Sequence, residues 1–145
     1  HSNGFSLVRR VFDEQTLSGP LGAALLTPTR IYVKAILALM DAVSVKSVAH
    51  ITGGGFYENI PRALPEGVAA RIERAAVRTP ELFARIAAEG QIPERDMFNT
   101  FNMGVGMCVC VAAQDADRAL ETLRAAGEDA YLLGETVSGE GVELC

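Results

Sequence analysis

The 145-residue sequence predicts an α+β fold, a layered sandwich of a mixed β-sheet with packed helices, built from strand–helix–strand units. Short apolar or β-branched runs near residues 45–51, 107–112, 130–137 and 142–144 alternate with stretches whose apolar residues recur at helical spacing. Glycine and proline fall between these runs, where a chain must turn. With 49% hydrophobic and 21% charged residues and no low-complexity tract, the chain has the composition of one well-cored domain.

Ser2 or Asn3 is positioned to cap a first helix carrying Phe5, Val8, Val11 and Phe12 on one stripe, which fades before Ser18-Gly19-Pro20. Thr27-Pro28 reads as a cap and first residue of a long helix to about Ala42, with Ile31, Ala35, Leu39 and Ala42 aligned. Val45 to Ile51 reads as a strand that runs into Thr52-Gly53-Gly54-Gly55, followed by a short helix from about Phe56 that stops near Pro61. Val68 to Glu73 fits strand and helix equally. Thr79-Pro80 opens a helix to Gly90, and Pro93 opens another through about Phe101. Met107 to Ala112 is a strand, Asp115 caps a helix containing Ala119, Leu120 and Leu123, and Gly127 ends it. Ala130–Val137 and Val142–Leu144 complete the strands. The two strand–helix–strand units, residues 45–73 and 107–137, are expected to share one sheet.

The net charge of −5 argues against a nucleic-acid surface, and no apolar run approaches the length of a membrane span. Residues 1–62 carry a net +2 and residues 63–145 a net −7, which places an anionic ligand with the first part, unless the imbalance only decorates solvated faces. Cys108 and Cys110 point to one face of a strand and read as buried free thiols; with Cys145 they fit a reducing cytoplasm and offer too few ligands for a metal. The chain opens on His1, not methionine, and is read as a fragment of a longer protein.

Thr52-Gly53-Gly54-Gly55 is the most informative local feature. Consecutive glycines allow positive φ and close approach of backbone amides to a ligand, and a loop between strand and helix start can hold a phosphate. It lacks the lysine and spacing of a P-loop, and a tight turn with no ligand fits as well. Asn59 and Arg62 follow at three-residue spacing, an amide donor and a guanidinium suited to phosphate or carboxylate; alternatively Asn59 caps backbone and Arg62 pairs with Glu58. His1-Ser2-Asn3-Gly4 gathers polar groups that either meet a ligand or cap a helix, and His1 has the chemistry of an acid or base. His50 reads as a hydrogen-bonded structural histidine. Phe56 and Tyr57 fit a nucleotide base or sugar, and equally a core.

Four blocks in order add what their parts do not. They are His1-Ser2-Asn3-Gly4-Phe5-Ser6-Leu7-Val8-Arg9, Pro28 to Lys34, Ala49 to Phe56 continuing through Glu58-Asn59-Ile60-Pro61-Arg62, and Thr100 to Met107. Together they resemble the carboxy-terminal domain of aminoimidazole ribonucleotide synthetases, the phosphoribosylformylglycinamidine cyclo-ligases. Met103 stands where that family often has cysteine, which suggests no essential thiol there. Within enzymes the alternative is another member of the same ATP-dependent superfamily, such as a formylglycinamidine ribonucleotide synthetase or selenophosphate synthetase, and the Gly-Gly-Gly-x-x-x-Asn-Ile-Pro-Arg block speaks against both. A stand-alone phosphate-binding regulatory module is the alternative from another class.

The resemblance implies that residues 1–145 form a carboxy-terminal α+β domain, and that an amino-terminal domain outside this chain holds most ATP and Mg2+ contacts and forms a homodimer core. It implies an ATP-dependent ring closure that turns formylglycinamidine ribonucleotide into aminoimidazole ribonucleotide, ADP and phosphate in purine biosynthesis. The formyl oxygen takes the γ-phosphoryl group, the ribose-bearing nitrogen attacks that carbon, and phosphate leaves. Carried onto this sequence, the cleft motifs fall on His1 and Asn3, expected to orient the reacting amide, and on Ser2, Thr52, Gly53, Gly54, Gly55, Asn59 and Arg62, expected to bind substrate and phosphate. The same resemblance makes Val68–Glu73 a strand.

Overall fold

The computed structural model describes all 145 residues, His1–Cys145. Four helices come first: α1 (Phe5–Val11), α2 (Glu14–Leu17), α3 (Pro20–Leu25) and α4 (Val33–Ala42). Strand β1 (Ser47–His50) and helix α5 (Gly55–Arg62) follow, then β2 (Val68–Ile72), α6 (Glu81–Gly90) and α7 (Glu94–Thr100). Strand β3 (Met107–Cys110), helix α8 (Ala116–Ala125) and strands β4 (Gly134–Ser138) and β5 (Val142–Leu144) close the chain. The α+β class stands, and Val68–Ile72, which its residues left open between strand and helix, is the strand that the resemblance implied. None of the helices is long and apolar enough to cross a membrane.

Three boundaries differ from the sequence reading. Helix α1 starts after Gly4 with no side-chain cap, because the Asn3 amide instead donates to the Thr100 carbonyl at 2.6 Å. Two short helices flank the Ser18-Gly19-Pro20 break; Asp13 caps the first by accepting from Thr16 N–H at 2.7 Å, and Pro20 begins the second. Helix α4 starts at Val33, five residues beyond Pro28, and residues 27–32 form no regular structure. Tertiary bonds explain the late start. Arg30 pairs with Glu128 at 2.8 Å and the Tyr32 hydroxyl with His1 at 2.9 Å, so this segment is held by distant partners in place of helical ones.

The single sheet expected from two strand–helix–strand units is two sheets. β1 pairs antiparallel with β3, while β2 sits between antiparallel β4 and parallel β5. Each unit thus lends one strand to each sheet, a choice made by packing across long sequence separations that strand spacing does not encode. A cavity of about 770 Å3 lies between the sheets, lined by β1, β3, β2 and residues 128–136, and by small side chains such as Ala35, Ala49, Ala63, Ala70 and Ala119. Residues 130–133, expected in β4, line this cavity and join no ladder.

The main core holds sixteen buried residues, among them Val8, Ile51, Phe56, Ile86, Met97 and Phe98. Phe56 and Phe98 are both fully buried and meet edge to face at 5.0 Å, which clamps α5 to α7. A smaller cluster of Leu39, Val43 and Ala119 joins α4 to α8. On the exposed face of the second sheet Arg71 reaches Glu143 at 3.2 Å and Glu135 at 3.5 Å, its direct partners on the two neighbouring strands.

Candidate functional site

Strand β1 ends at His50 and delivers residues 52–54 to the start of α5, as the glycine run requires. Gly54 and Gly55 hold φ of +89° and +54°, values open to glycine at little cost. At Gly55 a second constraint applies: a Cβ there would lie 1.9 Å from the Phe98 carbonyl oxygen. The loop is therefore pressed against the end of α7. Gly55 N–H donates to the Thr52 carbonyl at 3.0 Å, whereas neither the Gly53 nor the Gly54 amide meets a protein acceptor. Two donors ahead of a helix N-terminus stay open to a ligand.

Asn59 fixes the loop from beneath. It is buried, and its side-chain amide donates to the carbonyls of Gly55 at 2.8 Å, Gly53 at 3.1 Å and Thr52 at 3.4 Å. Arg62 is exposed and bonds Glu58 at 2.7 Å, one turn back. Asn59 and Arg62 therefore do not form one convergent pair: the first faces the loop backbone and the second solvent. Glu58 also crowds the glycines, since a Cβ on Gly54 would fall 2.6 Å from its carboxylate. An anion at the loop has to share Arg62 with Glu58 or turn Glu58 aside.

Residues 1–3 come to the same place from the other end of the sequence. His1 Nδ1 lies 2.8 Å from the Ile51 carbonyl, at the entry to the glycine loop. Asn3 stands beside Gly53, where a Cβ would sit 3.8 Å from the Asn3 Cβ, and its amide bond to Thr100 leaves its own carbonyl oxygen without a protein partner. Ser2 is exposed and Thr52 half-buried. Of the nine sequence-selected residues, His1 and Asn3 thus stand beside the loop formed by Thr52–Gly55, Asn59 lies beneath it, Arg62 is tied to Glu58 one turn along α5, and Ser2 makes no contact with it.

Sequence reasoning missed Tyr32, Thr100 and Gly106. Tyr32 bonds His1, Thr100 holds Asn3, and Gly106 leaves room for the Tyr32 hydroxyl, which a Cβ would approach to 1.8 Å. Burial, with Glu128 adding to it, raises the Tyr32 phenol above its ordinary value. His50, expected to be a hydrogen-bonded structural residue, is exposed and has no side-chain hydrogen bond; its ring meets the His1 ring edge-on at 4.8 Å. The alternation of β1 turns its side chain away from the core that Ala49 and Ile51 enter. Phe56 is core, and Tyr57 is half-buried under Arg95 at 4.4 Å. Cys108 and Cys110 are half-buried free thiols, and burial pushes the Cys108 thiol up to about 12.

This site lies in a chain whose residues 1–144 match the profile described as "AIR synthase related protein, C-terminal domain". The chain belongs to this family. It is 50% identical to a phosphoribosylformylglycinamidine cyclo-ligase of Agathobacter rectalis, across 99% of this chain and 46% of that protein. A cyclo-ligase of Lachnoclostridium phytofermentans is also 50% identical, across 100% of this chain and 46% of its own length. The chain spans about half the length of these curated relatives. The crystal structure of Escherichia coli HypE is similar with a TM-score of 0.62 over 79% of this chain and 35% of that one; at 24% identity it shows the fold alone. Family and fold agree with the resemblance carried by the four sequence blocks.

Proposed function

We propose that this chain is the carboxy-terminal domain of a phosphoribosylformylglycinamidine cyclo-ligase and forms the substrate-positioning wall of its active site. The observation that carries the reading is the approach of His1 and Asn3 to the glycine loop, fifty residues away in sequence, beside two amides with no protein acceptor. The Gly53 and Gly54 amides receive the substrate phosphate, with Arg62 completing its charge once Glu58 turns aside. The free Asn3 carbonyl oxygen accepts from an amidine N–H and so orients it, while His1 supplies the acid–base function. Holding the formyl oxygen and the attacking nitrogen in register accounts for this domain's share of the rate.

Metal and triphosphate chemistry belongs elsewhere in this scheme. No group of three potential metal ligands is assembled here, and the one carboxylate beside the loop, Glu58, is tied to Arg62. ATP and Mg2+ are assigned to the amino-terminal half that the curated relatives carry in addition. That half has a surface to occupy: Ile31, Val33, Leu37 and Met40 are each at least half exposed along one side of α4 and its entry.

Two measurements test the reading. Inorganic phosphate titrated into the chain should move the amide resonances of Gly53 and Gly54 ahead of all others; a response confined to other residues removes the phosphate site. Ring closure should require the longer enzyme, because phosphoryl transfer needs metal ions and a triphosphate clamp. Turnover by this chain alone with ATP, Mg2+ and formylglycinamidine ribonucleotide would place the chemistry in this half and overturn the reading.

A further inference from the structure

We propose that Glu58 is a specificity-determining residue of the glycine-loop site: its carboxylate is an internal anion that covers the loop and holds Arg62, and a phosphate binds by displacing it and taking Arg62 over. The inference rests on the reading of the Gly53 and Gly54 amides as phosphate donors.

The position of one oxygen carries the argument. Glu58 Oε2 accepts from Arg62 Nη2 at 2.7 Å, and the same oxygen would lie 2.6 Å from a Cβ on Gly54. A carboxylate oxygen thus stands between the guanidinium and the loop, where an anion bridging the two has to sit. The missing side chain at Gly54 is what lets Glu58 fold back this far, since the Glu58 Cβ would also fall 2.8 Å from a Cβ there. Glu58 lies in the first turn of α5, where the helix dipole favours a negative charge. Its carboxylate nevertheless bonds neither Gly53 nor Gly54, and both amides keep their hydrogens free for a ligand.

The movable partner is the side chain and not the loop. Asn59 ties the carbonyls of Thr52, Gly53 and Gly55, and Gly55 is wedged against the Phe98 carbonyl, so the backbone has no room to turn its amides elsewhere. Glu58 is half exposed and Arg62 two-thirds exposed, and both side chains can rotate into solvent. An exposed pair of this kind is weak, so Glu58 sets a threshold and does not lock the site. Free phosphate meets only the loop and Arg62, and has no further contact to offset the displacement. A phosphate borne by a larger ligand brings groups that reach beyond the loop, for instance to Asn3 beside Gly53. Glu58 thereby leaves the site empty of isolated anions and reserves it for phosphate carried on a body that binds elsewhere as well.

Titration of inorganic phosphate, and separately of sulfate, into the 15N-labelled chain reads this through the Gly53 and Gly54 amide resonances. Glu58→Gln removes the charge at unchanged length, and affinity for both anions should rise about tenfold, from the opened pair and the lost repulsion together. In an Arg62→Ala background the same exchange should change affinity by less than about threefold, because no guanidinium is left to hand over. A gain of full size without Arg62 overturns the handover. A gain for sulfate alone overturns the displacement: it would mean that the carboxylate stays in place and accepts a hydrogen from phosphate, which sulfate lacks. Affinity in Glu58→Gln within about twofold of the parent reduces the pair to a support of α5, rejecting the inference while the phosphate site stands. Silence of Gly53 and Gly54 in every chain rejects the phosphate site, and the role of Glu58 with it.

Discussion

Replacing Gly55 with alanine separates what the glycine loop does for folding from what it does for binding. Two costs add. At φ of +54° an alanine pays the left-handed penalty, about 1–2 kcal/mol. Its Cβ would also sit 1.9 Å from the Phe98 carbonyl oxygen, 2.7 Å from that carbonyl carbon and 2.9 Å from the Phe101 oxygen, all of them backbone, so relief requires α5 to move off α7. Such overpacking costs about 1–3 kcal/mol, and the move would loosen the Phe56–Phe98 contact. The expected loss is about 2–5 kcal/mol, a large part of the roughly 5–15 kcal/mol of a typical domain. Urea unfolding of the chain followed by circular dichroism should show a midpoint lowered by about 1–2 M at unchanged slope. Gly53→Ala is the internal control: its φ is not positive and its Cβ would meet only Asn3 at an ordinary 3.8 Å. It should unfold within about 0.5 kcal/mol of the parent. Equal midpoints for both variants would mean that the loop is not pressed on α7, and the packing account of Gly55 would be wrong.

Three further outcomes follow from the same geometry. Asn59→Ala strips one donor from three carbonyls and should cost about 1–3 kcal/mol in urea unfolding, with the Gly53–Gly55 amides exchanging faster with solvent; protection equal to the parent's would refute its role as the loop's anchor. Arg62→Ala breaks an exposed pair, so stability should hold within about 0.5 kcal/mol while phosphate affinity measured by NMR titration falls at least tenfold; the reverse pattern would make the Glu58 pair the residue's whole purpose. Because the folded Cys108 pKa is raised above its unfolded value, its contribution is fully present below about pH 9 and is lost as pH rises towards 12, at up to about 1.4 kcal/mol per pH unit. Cys108→Ala should flatten that alkaline decline, and an unchanged slope would show that another group causes it.

Local signals carried most of the elements. Pro80 and Pro93 each precede a helix by one residue, and Gly127 follows the turn that ends α8. Where the sequence misled, a distant partner had intervened. Pro28 looked like a helix start, but Arg30 and Tyr32 answer to Glu128 and His1 and hold the backbone off the helix. Asn3 looked like a cap, and its amide crosses to Thr100. The site divided the same way. A glycine run with Asn and Arg at fixed offsets announces a ligand loop, so residues 52–62 were legible. Nothing near Tyr32 or Gly106 in sequence advertises a hydroxyl fitted into the space of a missing Cβ. The four sequence blocks supplied the joint presence of residues 1–3 and 52–55, and only the fold shows that they meet.

Arg71, on the middle strand of the second sheet, faces Glu135 across an antiparallel ladder and Glu143 across a parallel one. Arg71 is half-exposed and both glutamates are exposed, so their attraction adds little to the depth of the native well. What it offers is discrimination between alignments. Sliding β4 by one residue would set Arg71 against Gly134 or Thr136, and sliding β5 would set it against Val142 or Leu144. Each slip would also turn a strand's inward residues outward. A short strand with neighbours of opposite polarity has few backbone cues to tell one alignment from the next. One cation flanked by two anions supplies the missing cue on both sides at once, and acts on the accuracy of assembly more than on its strength.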